Sequence, residues 1–203
     1  GPGWVSSLEV APGVFVPPSG AATSTVCVPF VLEAGELETF SIDNVPPPDR
    51  DPLTIGYWGN WNTCTRGNQA EQAERRGGVE AGIYLLDDLL PVSLGNAVID
   101  TCEDGVEILN KRDIESGRRS SSDGAYALAS QLLGAKLNLA SGANPSCVMP
   151  IVADADALLV AIEFDGSGSY LRPGRGSDRV RRAEAVRLAS LLDEYNNRRL
   201  DCA

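Results

Sequence analysis

The chain contains no histidine and five cysteines, Cys27, Cys64, Cys102, Cys147 and Cys202, in 203 residues. That pair of facts constrains it more than any motif. Histidine is the usual general base near neutral pH and the commonest metal ligand. Without it, Ser-His-Asp and Cys-His catalysis and most zinc and iron sites are excluded. Cysteines at long spacings, with no CxxC pair, read as disulfide partners rather than as a metal cluster. The expectation is an extracellular structural or binding module without a cofactor or metal.

Composition agrees. Hydrophobic residues make up 43% of the chain and the net charge is −11. A surface so acidic disfavours nucleic acid and anionic membranes as partners. The longest apolar runs fall short of the roughly 20 residues that span a bilayer. No signal peptide is visible at Gly1-Pro2-Gly3, so a secreted product is expected to have lost its signal upstream.

The chain divides into two unlike parts. Residues 1–52 hold nine of the thirteen prolines and seven acidic residues against Arg50 alone. Short apolar runs, Val14-Phe15-Val16, Val26-Cys27-Val28 and Leu37 to Ile42, read as strands separated by turns. Residues 1–45 are therefore expected to form a β-rich arm or sheet. Residues 46–52, with Pro46-Pro47-Pro48, form a stiff linker. Residues 53–203 are expected to be a disulfide-braced bundle of about four helices, so the fold class is mainly α with a short β-rich N-terminal arm.

The periodicity places helices over Thr101 to Lys111, Ser121 or Ser122 to about Leu139, the stretch after Pro145-Ser146 through Ile162, and Ser177-Asp178 to Asn196-Asn197. Gly142 is the expected stop of the second and Pro150 must sit in the first turn of the third. Residues 54–100 carry the weakest pattern. Ile55 to Asn62 is aromatic and turn-rich, and Asn68 to Arg76 reads as a loop or a short helix. Cys64–Cys102 and Cys147–Cys202 are the expected disulfides, the second because antiparallel third and fourth helices would bring its ends together. Closing that loop would contribute about 4 kcal/mol in the chain-entropy model. Cys27 is then left unpaired or intermolecular.

Three segments together resemble a known family. They are Thr54-Ile55-Gly56-Tyr57-Trp58-Gly59-Asn60-Trp61, Ala125 through Asn138, and Tyr195-Asn196-Asn197. The chain resembles a helical "GYWKN"-type module near the C-terminal ends of large secreted and surface proteins of bacteria, over about 150 residues from Thr54 onward. Gly59 stands where that module usually has lysine, so no role of the lysine carries over. The resemblance implies an extracellular, cell-surface setting and a helical fold, and it assigns no activity.

Several candidate sites each have a plainer structural reading. Tyr57, Trp58 and Trp61 could form an aromatic platform for sugars, or anchor a loop against the core. Asp165-Gly166-Ser167-Gly168-Ser169 starts like a calcium loop but has Tyr170 and Gly176 where an EF-hand needs glycine and glutamate. The neighbourhood of Asp100, Glu103 and Asp104 is a weaker calcium candidate. The paired carboxylates Asp87-Asp88, Glu103-Asp104 and Asp154 with Asp156 could serve a glycosidase, but an acidic chain holds many such pairs by chance. Ser120-Ser121-Ser122-Asp123 reads as a cap, and Arg179, Arg181, Arg182 and Arg187 as a salt-bridged face. The expected function is a non-enzymatic structural or interaction module of a surface protein or filament. Its expected partners are other protein chains, and residues 1–45 either drive self-assembly by adding a strand to a neighbouring copy or are the tail end of a β-sandwich; carbohydrate binding or adhesion is the alternative function. Chelation or added metal should leave the melting temperature nearly unchanged, and a calcium-dependent rise of several degrees would reveal an oxygen-ligand site.

Overall fold

The computed structural model describes residues 5–11, 14–16 and 42–45 as backbone, and residues 50–174 and 178–200 with side chains. The expected strands around Cys27 and Leu37, most of the linker, and Cys27 and Cys202 lie outside the described residues. The chain splits into two compact units, Gly1–Pro48 and Asp49–Ala203.

In the first unit, β1 (Val5–Ala11) is the middle strand of an antiparallel sheet, flanked by β2 (Val14–Val16) and β3 (Ile42–Val45). Leu8 pairs with Val16 on one side and Ile42 on the other.

The second unit is mainly helical. It contains α1 (Ile55–Asn60), α2 (Ala70–Arg75), the hairpin β4 (Val92–Leu94) and β5 (Ala97–Ile99), α3 (Cys102–Leu109), α4 (Gly124–Ala140), α5 (Met149–Ala161) and α6 (Arg179–Asn196). The four long helices fall where the apolar period put them. Pro150 lies in the first turn of α5, Gly142 adopts a left-handed φ of 97° just after α4, and Asp178 caps α6. The cap of α4 is Asp123 rather than Ser121 or Ser122. Its carboxylate reaches more donors than a hydroxyl could.

Helix α4 is the axis of the unit. Thirteen of its seventeen residues are buried, on all sides, which is what an apolar surface without a polar stripe requires. Helices α5 and α6 pack on it and on each other; α1 and α3 also pack on it and on each other. The α5–α6 pair is antiparallel, since the Tyr195 hydroxyl near the end of α6 donates to the Asn144 carbonyl before α5 at 3.1 Å. Lys136 ties three elements together, donating to the Ser93 carbonyl of β4 and pairing with Asp156 of α5, each at 2.6 Å.

The β4–β5 hairpin was not anticipated, because three-residue strands are too short to show a period. Its turn is set by Gly95, whose φ is 61° and whose missing side chain leaves room for Leu159, 2.7 Å from where a Cβ would stand. Part of the expected linker belongs to the helical unit. Arg50 bridges to Ala143, bonds the Gly82 carbonyl and covers the Tyr84 ring. Arg198 binds the Asp51 carboxylate and the Pro52 carbonyl.

Two disulfide-bonded cysteines form the observed clamp: Cys64, after α1, joins Cys102, the first residue of α3, with Cα atoms 6.0 Å apart. Cys147 is also disulfide-bonded; the partner expected for it lies outside the described residues.

The loop before α6 is held by carboxylates. Asp113 accepts from the backbone N–H groups of Gly168 at 2.6 Å, Ser116 at 2.8 Å and Glu115 at 3.1 Å. Asp123 accepts from Ala125, Leu171 and Tyr170. Burial works to raise the Asp113 carboxyl, but the N–H groups of Ser116, Gly168 and Glu115 outweigh it and hold the group below the usual carboxylate range. The Tyr170 hydroxyl and the Ser167 N–H likewise hold Asp165 low. Groups whose folded pKa is depressed contribute stability that is complete above the unfolded value, about 3.9, and lost as pH falls through the folded one. The melting temperature should therefore be flat from neutral pH to about 5 and fall below about 4. The Asp113→Asn variant should melt lower at pH 7 and show a shallower acid decline. An unchanged acid limb would remove Asp113 from this role.

Candidate functional site

The three motif segments converge on one buried amide. Asn138, near the end of α4, has no exposed surface. Its Oδ1 accepts from the Leu53 N–H at 2.8 Å and from the Trp58 indole N–H at 3.1 Å. Its Nδ2 donates to the Leu53 carbonyl at 2.8 Å and to Asn196 Oδ1 at 2.9 Å. All four hydrogen-bonding positions of the amide are filled, and it pairs with Leu53 as a neighbouring peptide would. Asn196, also fully buried, donates from Nδ2 to the carbonyl and to the Oε1 of Gln131, both at 2.9 Å. Gln131 Nε2 then reaches Asp193 at 3.0 Å.

Close helix approach makes this possible. A Cβ on Gly134 would stand 2.8 Å from Ile55 Cγ2 and 3.1 Å from Asn196 Nδ2. The network also explains α1, which is short and carries Gly56 and Gly59, both poor helix formers. It is held by the Thr54 cap, whose hydroxyl accepts from the Tyr57 N–H at 3.1 Å, and by the buried Trp58.

Of the three candidate aromatic residues, Trp58 is thus in the core and offers no face to a ligand. Tyr57 and Trp61 are half-buried and stacked, with centroids 4.9 Å apart and planes 12° apart. The Arg76 guanidinium lies 5.9 Å from the Trp61 ring. The Tyr57 hydroxyl donates to the Tyr84 carbonyl at 3.2 Å, and burial raises its pKa against the opposing charge of Arg76. Next to them α2 and the preceding loop line an open polar cleft of about 700 Å³ between Gly67 and Arg76.

The loop after α1 is built from its own polar groups. Asn62, fully buried, accepts from the N–H and hydroxyl of Thr65. Thr63 donates twice to Asp87, at 2.9 and 2.8 Å.

The other candidates are dispersed. Asp88 accepts from the Leu85 N–H, Asp104 sits in the Thr101 cap and Asp156 pairs with Lys136. Asp165 accepts from Ser167 and Tyr170. The Tyr170 hydroxyl is pushed up to about 12 by burial and by Asp165. Among the described residues no three cysteine, aspartate or glutamate side chains converge as metal ligands would. No described helix is long and apolar enough to cross a membrane. Arg181 pairs with Asp178 and Arg187 with Glu184, while Arg182 packs against Gly124.

Asn138, Asn196 and Gln131 were not singled out from the sequence as a site. The signal is present in retrospect: Gln131 and Asn138 are seven residues apart, on one face of an otherwise apolar helix. No family model matches the chain, and neither curated proteins nor solved structures gave a match.

Replacing Asn138 with alanine would leave the Trp58 indole, both Leu53 backbone groups and Asn196 without partners in the core. Each such group costs about 1–3 kcal/mol, so Asn138→Ala should destabilise by about 3 kcal/mol or more. Urea unfolding followed by Trp fluorescence measures it; a loss under about 1 kcal/mol would show that water or a shift replaces the amide.

Proposed function

We propose that the chain is a secreted structural and interaction module of a surface protein or filament, acting without catalysis. The observation that carries this reading is where the distinctive residues point. Trp58, Gln131, Asn138 and Asn196 meet in one buried network and bond one another and the chain's own backbone. The Cys64–Cys102 clamp supports an oxidising, extracellular compartment. In the N-terminal unit β2 and β3 flank β1, and among the described residues neither pairs on its outer side, which supports addition of a strand from another chain. The likeness to the GYWKN-type surface module supports the same setting.

A second reading, carbohydrate binding, is supported by the Tyr57–Trp61 stack beside the polar cleft. A glycan array with Trp61→Ala separates the two. Specific sugar binding lost in the variant would favour it, and Trp61 rather than Trp58 is the substitution that spares the core.

Sedimentation of the intact chain beside a chain beginning at Asp49 tests the assembly reading. The cut falls there because Arg50, Asp51 and Pro52 are bound to the helical unit. The intact chain should form larger species that the shorter one does not match. Two compact monomers would end the reading.

A further inference from the structure

The charge of the helical unit is not evenly spread. Between residues 71 and 107 stand nine carboxylates against Arg75 and Arg76; between 172 and 187 stand six arginines against Asp178 and Glu184. Arg181 and Arg187 are neutralised by neighbours on α6. Arg172 and Arg179 are exposed, with no ion-pair partner among the described residues. Beside Arg179, Val180 is 81% exposed, the most exposed large apolar side chain among the described residues. Burying an apolar anchor among charges is the usual build of a protein contact rather than of a solvated helix face.

A complementary surface exists on the same unit. Val98 on β5 is 58% exposed. Asp100, two residues on along an extended chain, projects to the same side, and Glu103 follows, exposed, in the first turn of α3. The two surfaces lie toward opposite ends of α4. The arginines adjoin the start of α4, where Arg182 touches Gly124. The carboxylates adjoin the Cys64–Cys102 clamp, next to α1, which meets α4 at Asn138. Fourteen residues of helix separate those points, about 21 Å.

Building on the assembly reading above, in which strand addition by the N-terminal unit joins the copies, we propose that the Arg172–Arg179–Val180 surface of one copy also docks on the Val98–Asp100–Glu103 surface of the next, a contact that adds to the strand pairing and does not assemble the helical unit without it. The two patches differ, so the contact is heterologous and propagates head to tail rather than closing as a two-fold dimer. It has to act against long-range repulsion between chains of net charge −11, so its specificity lies in local complementarity.

That opposition makes the test sharp. In the full chain, Arg172→Glu with Arg179→Glu makes the chain more acidic; Asp100→Lys with Glu103→Lys makes it less so. If only net charge mattered, the second variant would assemble better than the parent. The docking contact predicts that both variants need about tenfold or more higher concentration to assemble, and that an equimolar mixture of the two regains assembly. Analytical ultracentrifugation reads the size, and thermal melting of each variant checks that it is folded. Assembly by both variants as strong as the parent's would overturn the contact while leaving assembly itself standing. A parent that stays monomeric at every concentration would overturn both. Recovery in the mixture, at a concentration where the parent assembles and each variant alone does not, is the result the proposal requires.

Discussion

Everything in the helical unit is arranged around one filled amide. Asn138 is buried where an apolar helix would be expected to carry leucine, and a polar group there is tolerated only because its four hydrogen bonds are made. Each partner belongs to a segment that could not hold its place unaided. Leu53 is at the start of the unit, Trp58 is in a six-residue helix with two glycines, and Asn196 is the last residue of α6. Leucine at the site would bury as much carbon and leave the register of these pieces undefined. A satisfied polar node specifies one arrangement, and Gly134 is the accommodation that lets Ile55 and Asn196 come close enough to form it.

A second node works by the same logic with charge. Asp113 and Asp123, both buried, accept six backbone N–H bonds between them and fold the irregular loop from Asp165 to Leu171 over the start of α4. Tyr126 completes it, fully buried against Phe164 and donating to the Gly166 carbonyl at 3.0 Å. Burial and the adjacent Asp113 charge raise its pKa, which keeps the phenol a donor. The two nodes fasten opposite ends of α4, so the central helix carries the fold while the loops around it stay short of regular structure.

Helices α3, α5 and α6 were legible because each buries a stripe, and a stripe leaves a period; α4, buried all round, was legible as a long apolar run that ends at Gly142. So was the Cys64–Cys102 pairing, and Thr101 and Asp178 act as caps in the way their positions suggest. Residues 54–100 were not legible. Their elements are three to six residues long, below the length at which periodicity speaks. What orders them is distant: Leu86 donates to the Trp61 carbonyl and Asn96 to Phe164. The aromatic trio shows the limit most plainly. Composition marks Tyr57, Trp58 and Trp61 as a set, but a helical turn sends Trp58 inward to Asn138 and leaves Tyr57 and Trp61, four apart, stacked near the surface. Asn138 itself was hidden by its context, as one polar letter in an apolar run.

The functional reading depends on this allocation of polar groups. A chain whose buried amides and carboxylates bind its own backbone spends those groups on its fold. The claim beneath it is that Asn138 and Asn196 act as one unit. A double-mutant cycle on unfolding free energy, with Asn138→Ala, Asn196→Ala and the pair, tests that most directly. The account predicts a coupling of about 1–3 kcal/mol, the second substitution costing far less once the first is made. Additive losses, within about 0.5 kcal/mol, would contradict it.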